Sequence, residues 1–265
     1  MSFENASPTP ITVDYQAANT APAVAGSGIV AFDNIAPVLI ITPHGLPPSL
    51  YLDWDADVAA KITKDGSGNV SSWDNALGSE ALVQATANNQ PLWQAAQING
   101  KAAIKFRNTP SNNYLGMASG LHNLATGYAW FVVFKALAID ARVLFCTSAA
   151  ASANSSVFMN GTVNATFRHS GSEALLNIPT NLGAWQLLTG RYDGTNIYGS
   201  LNNAAEVSDA IGAPSAARGF YFGVNGVLTG PGDMQIARCG WFNRSLDASE
   251  LATVKQVLNA AYGLW

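Results

Sequence analysis

Acidic residues are the side chains of this sequence best suited to chemistry, and three of them stand close together. Asp53, Asp55 and Asp57 alternate around Trp54, and alternate residues of an extended strand point to the same side. Three carboxylates on one side could hold a calcium ion, since Ca²⁺ prefers several oxygen ligands. Alternatively, the segment turns into a short helix whose acids cap it or face solvent. We expect the structural role and predict no metal site.

The remaining acidic residues do not form a catalytic pair. Glycoside hydrolysis needs two carboxylates, about 5 Å apart in retaining enzymes. Glu173 and Glu206 are isolated, while Glu80 and Glu250 fall in a predicted loop and at a predicted helix start. A G-x-G-x-x-A match at 26–31 lacks the flanking strand and helix of a dinucleotide site, and no G-x-S-x-G motif is present. We therefore predict no catalytic residue, no cofactor and no enzymatic activity.

Aromatic and amide residues in two predicted loops form another candidate site. Trp73 and Asp74 follow a turn-rich stretch, and Asn112, Asn113 and Tyr114 end a second loop. Sugar-binding sites combine aromatic rings with amide and hydroxyl groups, and loop residues often carry function. These five residues are therefore possible glycan contacts. The alternative for Trp73 and Tyr114 is packing in the core.

Composition limits the classes of partner. Charged residues make up 11% of the chain and the net charge is −4, which argues against nucleic-acid binding. No apolar run reaches the ~18 residues of a membrane span, and the start of the chain does not resemble a secretory signal. We expect a protein made in the cytoplasm of its host cell. Cys146 and Cys239 are then expected to be buried thiols, which could pair only if their strands are neighbours.

Residues 1–49 differ in amino-acid composition from the rest of the chain. Seven of the twelve prolines lie there, and proline removes a backbone donor and disfavours helix. The segment is predicted to be an extended arm held by its own body or by a neighbouring molecule. Its strand-like part, 35–42, could add to an exposed sheet edge. The predicted partner contacts of the arm are Ile35, Val38, Leu39, Ile40 and Ile41.

Residues 50–265 read as a domain of many short strands. Apolar segments recur every 8 to 15 residues between Gly- and Asn-rich turns, which is typical of a β-sandwich. Asp193-Gly194 between two alternating segments predicts a hairpin. Asp247 with Glu250 three residues later predicts a capped helix that ends at Gly263. Three tryptophans within apolar strands are predicted to be core: Trp130, Trp185 and Trp241.

Four segments together resemble the laminin-G-like, concanavalin-A-like jelly-roll family, in the versions found in phage and bacterial proteins. They are "LYLDWDADVAAKITKDGSGNVSSWDNALG" (50–78), "QPLWQAAQINGKAAIKFRNTPSNNYL" (90–115), "RYDGTNIYGSLNN" (191–203) and "IARCGWFNRSLDASELATVKQVLNAAYGL" (236–264). The resemblance implies an all-β, two-sheet antiparallel jelly-roll sandwich over 50–265 with one C-terminal helix. Arg238 departs from the family, which often has glutamate there.

The leading functional expectation is a non-enzymatic structural protein of a virion, such as a phage head decoration or tail-associated protein. It would dock through its N-terminal arm onto other virion proteins or copies of itself and display the jelly roll outward. The alternative is a carbohydrate-binding lectin module of an adhesin, and the two roles can coexist. A glycosidase with an atypical site is a third alternative. One fold hosts many functions, so the site must decide.

Overall fold

The computed structural model divides the chain into two units, Met1–Leu39 and Ile40–Trp265, and all described residues lie in the second. The predicted arm contacts Ile35, Val38, Leu39, Ile40 and Ile41 lie outside the described residues. Within the described part of the second unit, no helix is long and apolar enough to cross a membrane. The structure describes residues 45–107, 113–117, 127–138, 142–146, 156–159, 164–169, 172–211, 219–223 and 233–265.

The described residues of the second unit form seventeen strands, two short 3₁₀ helices and one α-helix. The 3₁₀ helices are Ala59–Lys61 and Ala87–Asn89, and α1 is Ala248–Tyr262. The strands are β1 (Leu50–Asp55), β2 (Ile62–Lys64), β3 (Val70–Asp74), β4 (Ala81–Val83), β5 (Leu92–Ile98), β6 (Lys101–Phe106), β7 (Leu115–Met117), β8 (Tyr128–Ala136), β9 (Arg142–Cys146), β10 (Ser156–Met159), β11 (Asn164–His169), β12 (Ser172–Pro179), β13 (Trp185–Tyr192), β14 (Asn196–Leu201), β15 (Val207–Ala210), β16 (Phe220–Phe222) and β17 (Met234–Phe242).

These strands build two antiparallel sheets. Sheet A has the order β15-β14-β13-β8-β17-β6-β5, with β1 also paired to β17. Sheet B has the order β12-β11-β10-β9-β16-β7-β4-β3-β2. Both sheets pair strands that are not consecutive in sequence, such as β8 with β17 and β9 with β16, as in a jelly roll. The predicted two-sheet sandwich with one C-terminal helix is confirmed for the described residues.

The inner faces of the two sheets enclose an aromatic core. Trp54 stacks on Phe220 with ring centroids 5.4 Å apart, and Phe222 lies against both Trp54 and Trp73. Trp73 belongs to β3 and is 0% exposed, so the prediction of a loop position that could contact a glycan was wrong for this residue. The pattern misled because a turn-rich stretch stands directly before a buried strand.

Helix α1 covers the outer face of sheet A. Asp247 caps the helix by accepting from the Glu250 amide, and Gly263 ends it with a φ of 64°, as predicted. The apolar side of the helix joins an outer cluster that includes Phe131 and Leu46. Because Leu46 is only 1% exposed, the body begins before Leu50, where the sequence pattern placed its start.

The Asp193-Gly194 hairpin is confirmed and joins β13 to β14. The Asp193 side chain accepts from the Thr195 and Asn196 amides at 2.9 and 2.8 Å, which closes the turn. Further along β14 the two sheets approach closely. A Cβ at Gly199 would lie 2.7 Å from side-chain atoms of Ile178 and Phe167 in sheet B. Glycine therefore permits the sheets to close here.

Candidate functional site

The structure separates the residues predicted as possible glycan contacts. Asp74 lies at the end of β3 that pairs with the start of β4, whereas Tyr114 lies just before β7, which pairs with the end of β4. Trp73 is buried in the core, and Asn112 lies outside the described residues. Of the five predicted contacts, the described structure thus brings only Asn113 and Tyr114 together.

The surroundings of these two residues, which we name the Asn113 end, are rich in amides. The Asn113 Oδ1 accepts from Arg107 Nε at 3.0 Å, and the Tyr114 amide donates to the Asn89 carbonyl at 3.1 Å. Asn113 and Gln84 are 1% and 4% exposed, and the NH₂ group of each has no hydrogen-bond partner. Asn89, Arg107 and Tyr114 are partly exposed. Most of the polar groups therefore face the protein interior.

The three alternating aspartates have structural partners. Asp53 is buried and accepts two hydrogen bonds from Arg238, at 2.8 Å from Nε and 2.7 Å from Nη2. Asp55 lies 3.7 Å from the same guanidinium, and burial raises the pKa of its carboxyl. Asp57 instead pairs with Lys101 at the surface. This explains Arg238, where the resembled family often has glutamate: it neutralises two carboxylates beneath the helix.

Three glutamates whose side chains the structure describes are also engaged in structural contacts. Glu80 accepts from the Tyr51 hydroxyl at 3.0 Å, and Glu206 forms a two-pronged ion pair with Arg191. Glu250 completes the capping box of α1. In the part of the chain that the structure describes, no three His, Cys, Asp or Glu side chains are grouped to hold a metal ion.

The structure describes the side chain of one of the two cysteines. Cys239 is a free, buried thiol of β17, and burial raises its pKa well above the ordinary value. The thiolate is the reactive form of cysteine, so this group is inert at neutral pH. The side chain of Cys146 lies outside the described residues.

A row of polar and aromatic side chains crosses the outer face of sheet A. Trp185 lies opposite Lys135, Lys135 opposite Gln235, and Gln235 opposite Lys105, across strands β13, β8, β17 and β6. Directly opposite residues share one face of a sheet. Here it is the face that carries α1, because Val133, two residues before Lys135, belongs to the outer cluster. The row therefore lies beside the helix and not inside the sandwich.

A β-bulge in β5 adds two glutamines to this row. The register of β5 shifts between Gln94 and Ile98, and Ala96 has a φ of 51°, which costs a non-glycine residue about 1–3 kcal/mol. The bulge lets Gln94 and Gln97 both accept from Gln235 Nε2, each at 2.8 Å. Bulges often re-aim side chains next to functional sites. We name the set formed by Gln94, Gln97, Lys105, Lys135, Trp185 and Gln235 the Trp185 face.

The β5–β6 hairpin bends over this face. The Trp185 Nε1 donates to the Gln97 carbonyl at 3.1 Å, although strands β8, β17 and β6 lie between β13 and β5. The hairpin therefore reaches across the row to its far end at Trp185. Trp185 is half-buried, and the Lys135 ammonium lies 5.1 Å from the centroid of its ring. The Trp185 face thus carries an indole, two ammonium groups and amides on one side of sheet A.

The Trp185 face contains polar groups without partners. Gln235 is 4% exposed, and its Oε1 is buried with no hydrogen bond. An unsatisfied buried acceptor costs about 1–3 kcal/mol and calls for an explanation. Among the described residues, no carboxylate pairs with Lys105 or Lys135, and both lysines are partly exposed. The face therefore has unmet capacity for polar contacts.

Sequence reasoning missed this site. Trp130 and Trp241 are buried, as predicted, but Trp185 is half-buried at the first position of β13. The six residues of the face come from five strands, and only the pairing register aligns them. The local signal is "QAAQ" at 94–97. Residues three positions apart fall on opposite faces of a regular strand, so both glutamines can share one face only if the strand is irregular.

No protein-family model matches the sequence, and no curated protein matches it. Solved structures with a similar fold include the Trypanosoma rangeli sialidase in complex with the inhibitor DANA, at 11% identity and a TM-score of 0.54. They also include the receptor-binding domain of botulinum neurotoxin type G, at 10% identity and a TM-score of 0.51. The alignments cover 78% of this chain and 32% of the sialidase, and 79% of this chain and 51% of the toxin domain. The described body is a jelly-roll β-sandwich. At such identities the similarity shows the fold alone.

Proposed function

We propose that this chain is a non-enzymatic glycan-binding module whose ligand contacts the Trp185 face. The observation that supports it best is the row of Trp185, Lys135, Gln235 and Lys105 on one face of sheet A, with two partly exposed lysines that pair with no carboxylate of the described residues. An aromatic ring with amides and ammonium groups around it is a suitable surface for a sugar, which has apolar CH faces and many oxygens. Two of the similar folds are a sialidase and a toxin receptor-binding domain, which agrees with recognition as the role.

The absence of catalysis is part of the proposal. Glycosidases need two carboxylates flanking the scissile bond. Glu80, Glu206 and Glu250 are each held by structural contacts, and Asp53 is neutralised by Arg238. A turnover screen on polysaccharides is expected to give no product. Turnover by the purified chain would overturn this part of the proposal.

A glycan array tests the binding site with matched variants. The purified chain is expected to bind, and Trp185→Ala is expected to abolish binding, while Trp185→Phe, which keeps an aromatic ring, retains part of it. Trp265→Ala serves as the control because Trp265 is 47% exposed and lies outside the face. Tyr114→Ala tests the Asn113 end. If Tyr114→Ala loses binding while Trp185→Ala binds fully, the binding site lies at the Asn113 end. If the unmodified chain binds no glycan, the proposal of a glycan-binding module is refuted.

We also propose that the module is displayed on a virion and docks through its leading segment. Its supports are the seven prolines of residues 1–49 and the 11% of charged residues, which suit an extended arm and a surface buried in an assembly. Limited proteolysis tests this role. Cleavage within residues 35–41 is expected in the free chain and not in purified particles that contain it. Equal cleavage in both, or absence of the chain from particles, would refute the docking.

A further inference from the structure

We propose that the Trp185 face selects acidic saccharides, whose carboxylate or sulfate lies between Lys105 and Lys135. This inference rests on the proposed function and adds the chemical class of the ligand. It follows from the charge of the unpaired side chains on the face, from the positions of the two lysines on either side of β17, and from the position of Asp233, a nearby acid among the described residues.

The accessible polar atoms without partners are all donors. The ammonium groups of Lys105 and Lys135 pair with no carboxylate of the described residues, and Gln94 Nε2 makes no hydrogen bond there. The acceptors of the face are already used or hidden. Oε1 of Gln94 and of Gln97 both accept from Gln235, whose own Oε1 is buried. A ligand that meets mainly free donors binds best when it supplies acceptors, and anionic oxygens accept the strongest hydrogen bonds.

The two lysines can share one anion. Lys105 and Lys135 both lie opposite Gln235, one on each strand that flanks β17. Neighbouring strands are about 4.8 Å apart, so the two lysine Cα atoms stand about 10 Å apart on the same face. Long flexible lysine stems can bring both ammonium groups to an anion above Gln235. The indole of Trp185 then lies beside the anionic group, where it can contact the apolar face of the sugar ring.

One acid limits where the anion can lie. Asp233 precedes β17 and, by the alternation of the strand, shares the face of Gln235 at a distance of about 7 Å along the chain. Its Oδ1 is buried without a hydrogen bond. The Asp233 carboxylate therefore repels an anion on this face, while Lys105 and Lys135 attract it. This geometry favours a single anionic group on the ligand over a dense polyanion.

Calorimetric titration with matched saccharides tests the inference. The probes are a uronic-acid oligosaccharide with its carboxyl-reduced form, and a sulfated oligosaccharide with its desulfated form. We expect at least tenfold tighter binding of the acidic member of one pair. The variant K105M/K135M keeps the aliphatic stems and should lose this tenfold preference, so that it binds the acidic and neutral forms of each pair with affinities within twofold of each other. The control is Lys64→Met, because Lys64 also lies over a tryptophan, 4.8 Å from the ring centroid of Trp93, at a different place.

The outcomes separate the inference from the proposed function. Exposed charge pairs are screened by salt, so the acidic preference should weaken between 50 and 500 mM salt, where the Debye length falls from about 14 to about 4 Å. Equal affinity for acidic and neutral forms, or a K105M/K135M variant that keeps the preference, would overturn the acidic selectivity and leave the glycan-binding module standing. Failure of every saccharide to bind would refute both.

Discussion

Removing the Arg238 guanidinium should destabilise the protein more than any other single loss of charge. Arg238 and Asp53 have side chains 7% and 1% exposed and share two hydrogen bonds at 2.8 and 2.7 Å. In Arg238→Met, both Asp53 and the nearby Asp55 stay beneath helix α1 without a cation. Breaking a buried pair in this way costs about 3–5 kcal/mol, a large part of the 5–15 kcal/mol that typically stabilises a domain.

Urea unfolding at pH 7 measures this loss as a lower transition midpoint. The matched control is Arg244→Met, because Arg244 pairs with Glu250 while 47% of its side chain is exposed, and such surface pairs contribute about 1 kcal/mol or less. Asp53→Leu combined with Arg238→Met removes both members of the buried pair and should recover at least about 2 kcal/mol of the single-variant loss.

The pH dependence gives a second readout of the same cluster. Burial raises the pKa of the Asp55 carboxyl, while Arg238 acts in the opposite direction. A carboxyl with a raised folded-state pKa favours folding at low pH, and this contribution is lost as pH rises above its ordinary value near 4. Without Arg238 the pKa rises further, so the defect of Arg238→Met should be smaller at pH 4 than at pH 7. A loss under 1 kcal/mol at pH 7, or no recovery in the double variant, would refute the reasoning.

Three further variants test the fold. Gly199→Ala should cost about 1–3 kcal/mol in urea unfolding because its Cβ meets Ile178 and Phe167, and a loss below 0.5 kcal/mol would contradict the close approach of the sheets. Trp73→Ala should cost about 3–5 kcal/mol by the same measurement, and a glycan affinity that falls without loss of stability would contradict a core role. Burial raises the pKa of the Tyr262 hydroxyl, so the stability of the fold should fall as pH rises above about 10. Thermal unfolding should show a smaller fall in Tyr262→Phe than in the unmodified chain, and equal falls would contradict a buried, neutral Tyr262.

Sequence patterns predicted those elements that are determined by residues close together in the chain. The capping box of Asp247 and Glu250 and the left-handed Gly263 mark both ends of α1, because each acts within one turn of helix. The Asp193-Gly194 hairpin was equally visible, since its turn needs only its own residues. These features required no knowledge of distant parts of the chain.

The candidate site and the buried Arg238–Asp53 pair could not be predicted from local patterns, because the residues that meet in each are far apart in the sequence. Arg238 and Asp53 are 185 positions apart, and only the pairing of β1 with β17 brings them together. Gln94 and Gln235 are 141 positions apart and meet through a bulge that sequence periodicity does not show. Trp73 shows the opposite error: polar neighbours indicated a loop, while the alternation of β3 turned its ring inward. Register, more than residue type, decides which side chains share a face.

The hydrogen bond between Trp185 and Gln97 would make the affinity of the proposed ligand depend on the curvature of this part of sheet A. It joins the first and last of five consecutive strands, so this part can flatten only when this contact opens. The register shift in β17 between Ile236 and Arg238 lies within that span and adds local twist. If the proposed glycan site is correct, its affinity can be changed through sheet curvature, by substitutions at residues that do not contact the sugar.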